Sequence, residues 1–151
     1  FIINNPQFKI TKMNILFLCV GNSARSQIAE GLAKDMLPNS FNIKSAGSLP
    51  AKNVHKHAIL VMNDIGIDIS KNTTKSIKSI NKKFINSLDY VITLCAEEVC
   101  PVVPKATRVF HWPNEDPDND NFNDIQSKNA FTKTREDIFT LLKKFLINEA
   151  L

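Results

Sequence analysis

The chain has 151 residues, of which 43% are hydrophobic and 23% charged, and its formal net charge is +4. This length suits one domain with its own hydrophobic core, and no apolar run approaches the roughly 20 residues that cross a bilayer. The lysines of 71–83 have only Phe84 as an aromatic neighbour, so the sequence lacks the mixture of basic and aromatic residues typical of a nucleic-acid site.

Cysteine usage predicts the cellular compartment. The chain carries 3 cysteines, and an odd number without a convincing signal peptide is atypical of a secreted disulfide framework. We therefore expect a cytoplasmic protein, which we take to be a monomer. Because the first apolar segment begins directly after Met13, we interpret residues 1–12 as a leader or an added extension and residues 13–151 as a single domain.

Apolar and amphipathic segments alternate along the chain. They predict strands over 14–19, 41–45, 89–94 and 107–112 and helices over 24–37, 53–64, 80–88 and 131–146. We expect Pro38 to stop the first helix, and Asn53 and Gly66 to begin and close the second. We interpret His55 and His57 as ordinary surface residues. The order predicts an α/β fold, a three-layer αβα domain with a four-stranded parallel sheet. In the flavodoxin-like strand order the first and third strands are neighbours, and ligands bind at their carboxyl ends.

The most informative segment is Cys19-Val20-Gly21-Asn22-Ser23-Ala24-Arg25-Ser26, between the first predicted strand and helix. A loop at a helix N-terminus points backbone N–H groups at one spot and binds an oxyanion. We predict that this oxyanion loop comprises Val20, Gly21, Asn22, Ser23, Ala24 and Arg25. The same N–H groups would hold Cys19 as a thiolate nucleophile, and Arg25 would fork onto two oxygens of the anion. An isolated cysteine is more often an inert buried residue, but this position favours the nucleophile.

Supporting side chains complete the predicted site. Ser26 is either an ordinary polar residue of the first helical turn or a hydrogen-bond donor to the nucleophile. Asn22 tolerates the left-handed backbone that such a loop often needs. Opposite a thiolate-bound oxyanion, one carboxylic acid must protonate the departing oxygen. We assign this role to Asp116, with Glu115 and Asp118 as competing candidates.

Cys95 and Cys100 follow the third predicted strand. A buried structural pair is the simplest interpretation, but Glu97 and Glu98 between them indicate a partly exposed segment. A zinc site would need further ligands, and only His111 is nearby, so we predict no metal. If the segment were helical, the two Cα atoms would lie about 8–9 Å apart, beyond the roughly 7 Å that a disulfide tolerates. A bond between these cysteines would therefore require the turn to unwind.

Four motifs carry a resemblance to a known family. They are CVGNSARSQIAEG from Cys19, SAG from Ser45, VITLCAEEVCP from Val91 and HWPNEDP from His111. From about Asn14 to the final helix, the chain resembles the thioredoxin-recycled arsenate reductases built on the low-molecular-weight tyrosine-phosphatase fold. The phosphatases share the first motif but usually have Pro at the position of Gln27. The second cysteine pair and the His-Trp before the acidic loop are marks of the reductases.

The resemblance implies a role for each predicted site residue, without a cofactor. Cys19 attacks arsenate while Arg25 and the loop amides hold its oxygens, and Asp116 protonates the departing oxygen. Cys95 then attacks Cys19 and releases arsenite, leaving a Cys19–Cys95 disulfide. Cys100 attacks Cys95 in turn, and thioredoxin reduces the resulting Cys95–Cys100 disulfide.

A departure from the family pattern concerns potassium. Members that bind this cation beside the loop use Asn, Glu, Ser, Thr and Asp. Asn22, Glu30, Ser45 and Thr73 match the first four, but Lys75 stands in the fifth place. We expect the Lys75 ammonium to take the place of the cation, so that activity is independent of potassium.

Two other functions stay open. A low-molecular-weight protein-tyrosine phosphatase would hydrolyse the Cys19 adduct with water. Such phosphatases usually carry aromatic residues after the Asp-Pro, where this chain has Asp118-Asn119-Asp120, so we expect only weak phosphatase activity. A non-catalytic module that binds an oxyanion or a partner is disfavoured, because a nucleophile, an arginine and a candidate acid are all present. The resemblance therefore favours residues 13–151 as a single catalytic domain.

Overall fold

Strands and helices alternate along the chain in a computed structural model that describes residues 12–96, 103 and 108–151. The elements are β1 (Asn14–Cys19), α1 (Arg25–Met36), β2 (Asn42–Gly47), α2 (Lys56–Asn63), a 3-10 turn (Ile77–Ser79), α3 (Lys82–Asn86), β3 (Tyr90–Thr93), β4 (Arg108–His111) and α4 (Asp124–Asn148). Cys100 and all of the predicted leader except Lys12 lie outside the described residues.

The sheet has four parallel strands in the order β2-β1-β3-β4. The predicted sheet and its flavodoxin-like order are therefore confirmed. β1 is central, which explains why its sequence is continuously apolar. β2 is an edge strand in which Asn42 and Lys44 are exposed while Ile43 and Ser45 are buried, as the alternation of its sequence predicts.

Helices cover both faces of the sheet and make the predicted three layers. Side chains alternate along β1, so Ile15 and Phe17 pack into a core with residues of α1, α2 and α4. Leu16 and Leu18 pack on the other face with Phe84 of α3. Both faces of β1 are thus shielded from water, and its carboxyl end is the part that opens toward a site.

The start of α2 differs from the prediction. The helix begins at Lys56, and its cap is His55 rather than Asn53. The His55 Nδ1 accepts a hydrogen bond from the His57 N–H at 3.1 Å, which satisfies a donor of the first helical turn. Gly66, with a φ of 81°, turns the chain after the helix as expected.

Helix α4 is longer than the predicted 131–146. It begins at Asp124 because Asn123 and Gln126 form a capping box, each side chain accepting from the backbone N–H of the other residue. The first two turns are mostly polar and exposed, so the apolar pattern marks only the later part of the helix. No helix in the described ranges is long and apolar enough to cross a bilayer.

Candidate active site

The oxyanion loop joins β1 to α1 at the carboxyl edge of the sheet. Asn22 has a φ of 50°, so the left-handed backbone predicted at this residue is confirmed. Ala24 occupies the N-cap position of α1, and no described side chain caps the helix there. Helix N–H groups without a capping side chain are available to an anion, and the helix dipole favours negative charge at this end. The loop is therefore built to receive an oxyanion.

Cys19 lies at the base of this loop as a free thiol with 2% exposure. Its Sγ is 2.8 Å from the Ser26 Oγ and accepts a hydrogen bond from the Asn22 N–H at 3.2 Å. Donors of this kind stabilise a thiolate, which is the nucleophilic form of cysteine. The structure thus places Ser26 against the predicted nucleophile, in the position that its proposed role requires.

The side chain of Asn22 fastens the loop from within. Its Nδ2 donates to the Ser26 Oγ at 2.8 Å and to the Ser45 Oγ at 2.9 Å, while its Oδ1 accepts from the Lys75 N–H at 3.0 Å. The buried Gln27 adds a bond from its Nε2 to the Asn22 carbonyl at 3.2 Å. Sequence reasoning assigned no role to Gln27, although its difference from the proline of the phosphatases marked the position.

The outer side of the loop is held by the segment 49–55. Backbone N–H groups of this segment bond to loop carbonyls: Leu49 to Val20 at 3.0 Å, Ala51 to Gly21 at 2.8 Å and His55 to Ser23 at 2.9 Å. These hydrogen bonds fix the orientation of three loop carbonyls. Because a preorganised loop binds an anion without reorganising, this segment supports the site although it carries none of the predicted catalytic residues.

The side chain of Arg25 reaches from the oxyanion loop to the acidic loop, residues 113–123, which follows β4. This side chain is buried, and Nη1 donates to the Asn114 carbonyl at 2.9 Å. Nη2 is 3.8 Å from the Asp116 Oδ2. The arginine and the predicted acid therefore meet at the mouth of the site, where the Asp116 side chain is 54% exposed and can exchange protons with water.

The competing acid candidates lie on the same loop. Asp118 faces His55, with its Oδ1 3.2 Å from the His55 Nε2, and its own N–H donates to the Asp116 Oδ1 at 3.0 Å. Glu115 is exposed. The contact with Arg25 thus favours Asp116, while Asp118 acts as a neighbour that holds it.

Cys95 lies at the carboxyl end of β3, the strand beside β1. The Leu94 N–H donates to the Leu18 carbonyl at 2.9 Å, so the residues that precede Cys95 and Cys19 are hydrogen-bonded to each other. Cys95 is fully buried, and its sulfur is in a disulfide bond. The topology therefore brings the first two predicted cysteines to one edge of the sheet, while Cys100 lies outside the described residues.

Lys75, the residue that the sequence predicts in place of a cation, lies beside Glu30 and Thr73. Its Nζ is 3.9 Å from the Glu30 Oε1 and 3.4 Å from the Thr73 carbonyl. Burial lowers the pKa of this lysine, and the charge of Glu30 partly opposes that shift. A potassium ion does not fit beside an ammonium in the same position, so these residues do not make a potassium site. In the described ranges, no group of three or more His, Cys, Asp or Glu side chains could hold a metal.

The two histidines at the start of α2 are more enclosed than the surface residues that the sequence suggested. His57 is buried, and the ring centroids of His55 and His57 lie 4.5 and 5.7 Å from that of Phe131. The prediction was wrong because Phe131 of α4 covers the start of α2. A tertiary contact between these helices leaves no local signal in the sequence.

The fold and site together define the class of protein: an α/β domain with a cysteine at the base of an anion-binding loop after its central strand. The chain belongs to the low molecular weight phosphotyrosine protein phosphatase family, whose sequence model matches residues 14–151. It is 37% identical over 138 residues to an arsenate reductase of Halalkalibacterium halodurans, a match that covers 90% of this chain and 96% of the relative.

Solved structures show the same likeness. An arsenate reductase in the phosphate-binding state superposes with a TM-score of 0.75 at 31% identity, covering 91% of this chain and 98% of the other. A thioredoxin-dependent arsenate reductase from Corynebacterium glutamicum gives a TM-score of 0.66 at 28% identity, covering 94% of this chain and 66% of the other. The predicted resemblance to arsenate reductases of the phosphatase fold is therefore confirmed.

Proposed function

We propose that the protein reduces arsenate to arsenite and that its three cysteines carry the electrons. The observation that supports this most directly is a free Cys19 in an oxyanion loop, with Cys95 at the end of the neighbouring strand. The similarity to arsenate reductases points to the same reaction. We place the protein in the cytoplasm, where reductants for such a cycle are present, and expect a monomer.

In the first step, the Cys19 thiolate attacks the arsenic atom of arsenate. A sulfur–arsenic bond forms and an arsenic–oxygen bond breaks, so arsenic stays in the +5 state. The loop N–H groups and Arg25 bind the remaining oxygens. Asp116 gives its proton to the departing oxygen, which leaves as water.

In the second step, the Cys95 thiolate attacks the Sγ of Cys19. A disulfide forms, the sulfur–arsenic bond breaks, and its electron pair stays on arsenic, which is thereby reduced to arsenite. Cys100 then attacks Cys95, forms a Cys95–Cys100 disulfide and expels Cys19 as a thiolate. A disulfide at Cys95 beside a free Cys19 is the state that this sequence of steps leaves behind. Thioredoxin is the proposed reductant of that bond.

Hydrolysis of phosphate esters is the second candidate activity, and the family match favours it. The same loop would bind a phosphoryl group, and water in place of Cys95 would resolve the Cys19 adduct. We expect this reaction to be slow, because the segment after Pro117 is Asp118-Asn119-Asp120 and offers no aromatic surface to a phosphotyrosine ring.

The two activities are separated by one substitution. With arsenate, thioredoxin, thioredoxin reductase and NADPH, the wild-type protein should consume NADPH in an arsenate-dependent manner, and Cys95→Ser should not. The same variant should keep slow hydrolysis of an aryl phosphate, since Cys19 and the loop are intact. Undiminished NADPH consumption by Cys95→Ser would refute the relay.

A further inference from the structure

His55 contacts both loops of the site. Its backbone N–H donates to the Ser23 carbonyl of the oxyanion loop at 2.9 Å. Its Nε2 lies 3.2 Å from the Asp118 Oδ1 of the acidic loop, 63 residues further along the chain. The two loops are themselves far apart in sequence, since 89 residues separate Arg25 from Asn114. One residue at the start of α2 therefore joins the loop that binds the anion to the loop that carries the acid.

The hydrogen bonds of the ring determine its tautomer. The Nδ1 accepts from the His57 N–H at 3.1 Å, so in the neutral ring the proton is on Nε2. That N–H group points at the Asp118 carboxylate and can donate to it. The ring also packs on Phe131, with the centroids 4.5 Å apart and an interplanar angle of 31°. Helix α4 and the cap of α2 thus hold the imidazole in one orientation.

Asp118 in turn contacts Asp116, the proposed general acid. The Asp118 N–H donates to the Asp116 Oδ1 at 3.0 Å, which occupies that oxygen as an acceptor. A proton on Asp116 is therefore carried by Oδ2, the oxygen that lies 3.8 Å from Arg25. Because of this hydrogen bond, movement of the Asp118 backbone would change the orientation of the Asp116 carboxyl group.

We propose that His55 is a positioning residue, which holds the Asp118 turn so that the Asp116 Oδ2 presents its proton toward the oxyanion loop. This inference rests on the proposed role of Asp116 as the general acid. It requires neither the cysteine relay nor thioredoxin, because protonation of a departing oxygen precedes both.

The substitution His55→Asn separates positioning from folding. Asparagine is a good helix N-cap, so the cap of α2 is kept, but its shorter side chain does not reach Asp118. The matched control is His57→Asn, which removes the other imidazole stacked on Phe131; His57 faces Asp124, at 3.8 Å, rather than the acidic loop. Circular dichroism and thermal unfolding of both variants establish that the fold is intact.

The functional readout is how kcat/KM for phosphate-ester hydrolysis depends on the leaving group. Phenyl phosphate needs a proton on its departing oxygen, whereas 2,4-dinitrophenyl phosphate leaves without one. We expect His55→Asn to lower kcat/KM for phenyl phosphate roughly tenfold, a part of the 10²–10⁴ that a positioned acid contributes. The dinitrophenyl ester should change less than twofold, and His57→Asn should not distinguish the two esters. Asp118→Ala should behave like His55→Asn, and the double variant should be no worse than either single one.

A second measurement does not depend on activity. Amide hydrogen exchange of the peptide that contains Asp116 and Asp118 should be several times faster in His55→Asn than in wild type, with the exchange of α2 unchanged. Equal losses on both esters, or unchanged exchange in this peptide, would overturn the proposal. If the wild-type protein failed to reduce arsenate while His55→Asn showed the expected loss on phenyl phosphate alone, the relay would be refuted and the role of His55 would stand.

Discussion

The hydroxyl of Ser26 lies 2.8 Å from the Cys19 sulfur and can donate a hydrogen bond to it. A hydrogen bond to a charged group contributes about 1.5–3 kcal/mol, and every 1.4 kcal/mol corresponds to a factor of ten. We therefore expect Ser26→Ala to slow the alkylation of Cys19 by iodoacetamide at neutral pH roughly tenfold or more, measured by peptide mass spectrometry. Ser23→Ala is the control, since that loop serine acts through its backbone carbonyl. An unchanged rate in Ser26→Ala would exclude the hydroxyl as a thiolate donor.

Lys75 gives a prediction about cations. Its ammonium lies beside Glu30 and the Thr73 carbonyl, so added potassium should change neither the melting temperature nor the affinity for arsenate beyond the effect of sodium at equal ionic strength. Lys75→Asp replaces the ammonium with a carboxylate and should respond to potassium specifically. A specific rise in either quantity for the wild-type protein would show that the lysine does not replace the cation.

The same residue predicts a dependence of stability on pH. Burial lowers the pKa of Lys75 in the folded protein, so the unfolded chain binds that proton more readily. The free energy of unfolding should therefore gain from Lys75 as the pH rises from its lowered folded pKa toward the value of about 10.4 of an exposed lysine. Denaturant unfolding of wild type and Lys75→Gln across this alkaline range should show a smaller gain in the variant, and parallel curves would contradict the assignment.

At the scale of elements, the end of β2 packs directly against the backbone of the oxyanion loop. A side chain at Gly47 would overlap the Val20 carbonyl and come within 3.0 Å of the Asn22 nitrogen, whereas a Cβ at Gly21 would meet its neighbours at ordinary distances of 3.8–3.9 Å. We expect Gly47→Ala to displace the loop, to lower the melting temperature and to abolish phosphate binding measured by calorimetry. Gly21→Ala, although inside the loop, should keep most of this binding. Equal phosphate binding by the two variants would contradict the role of Gly47 in supporting the loop.

The elements and the nucleophile could be predicted because each has a local signal. A buried central strand is continuously apolar, and the segment Cys19–Ser26 has a loop composition between a strand and a helix. The contacts of His55, Gln27 and Gly47 had no such signal, since their partners come from other parts of the chain. The start of α4 was missed for a different reason: a polar capping box begins the helix before its apolar stripe appears.

At the scale of the whole molecule, the parallel sheet makes the proposed chemistry possible. Because β1 and β3 are neighbours and run in the same direction, the segments that follow them leave from one edge. Cys19 and Cys95 thereby lie at one edge of the sheet although they are distant in sequence. Arg25 and Asp116 come to the same edge from α1 and from the loop after β4. The fold thus brings the proposed nucleophile, clamp and acid and the second cysteine to one edge of the sheet.

The most direct test of the relay is to stop it after the second step. Reduced Cys100→Ser, freed of reductant and given one equivalent of arsenate, should form a Cys19–Cys95 disulfide and release one equivalent of arsenite, because no third thiol is left to attack Cys95. Peptide mapping under non-reducing conditions and arsenic speciation measure both products. A variant that releases arsenite with Cys19 free, or forms no Cys19–Cys95 bond while wild type reduces arsenate, would contradict the mechanism.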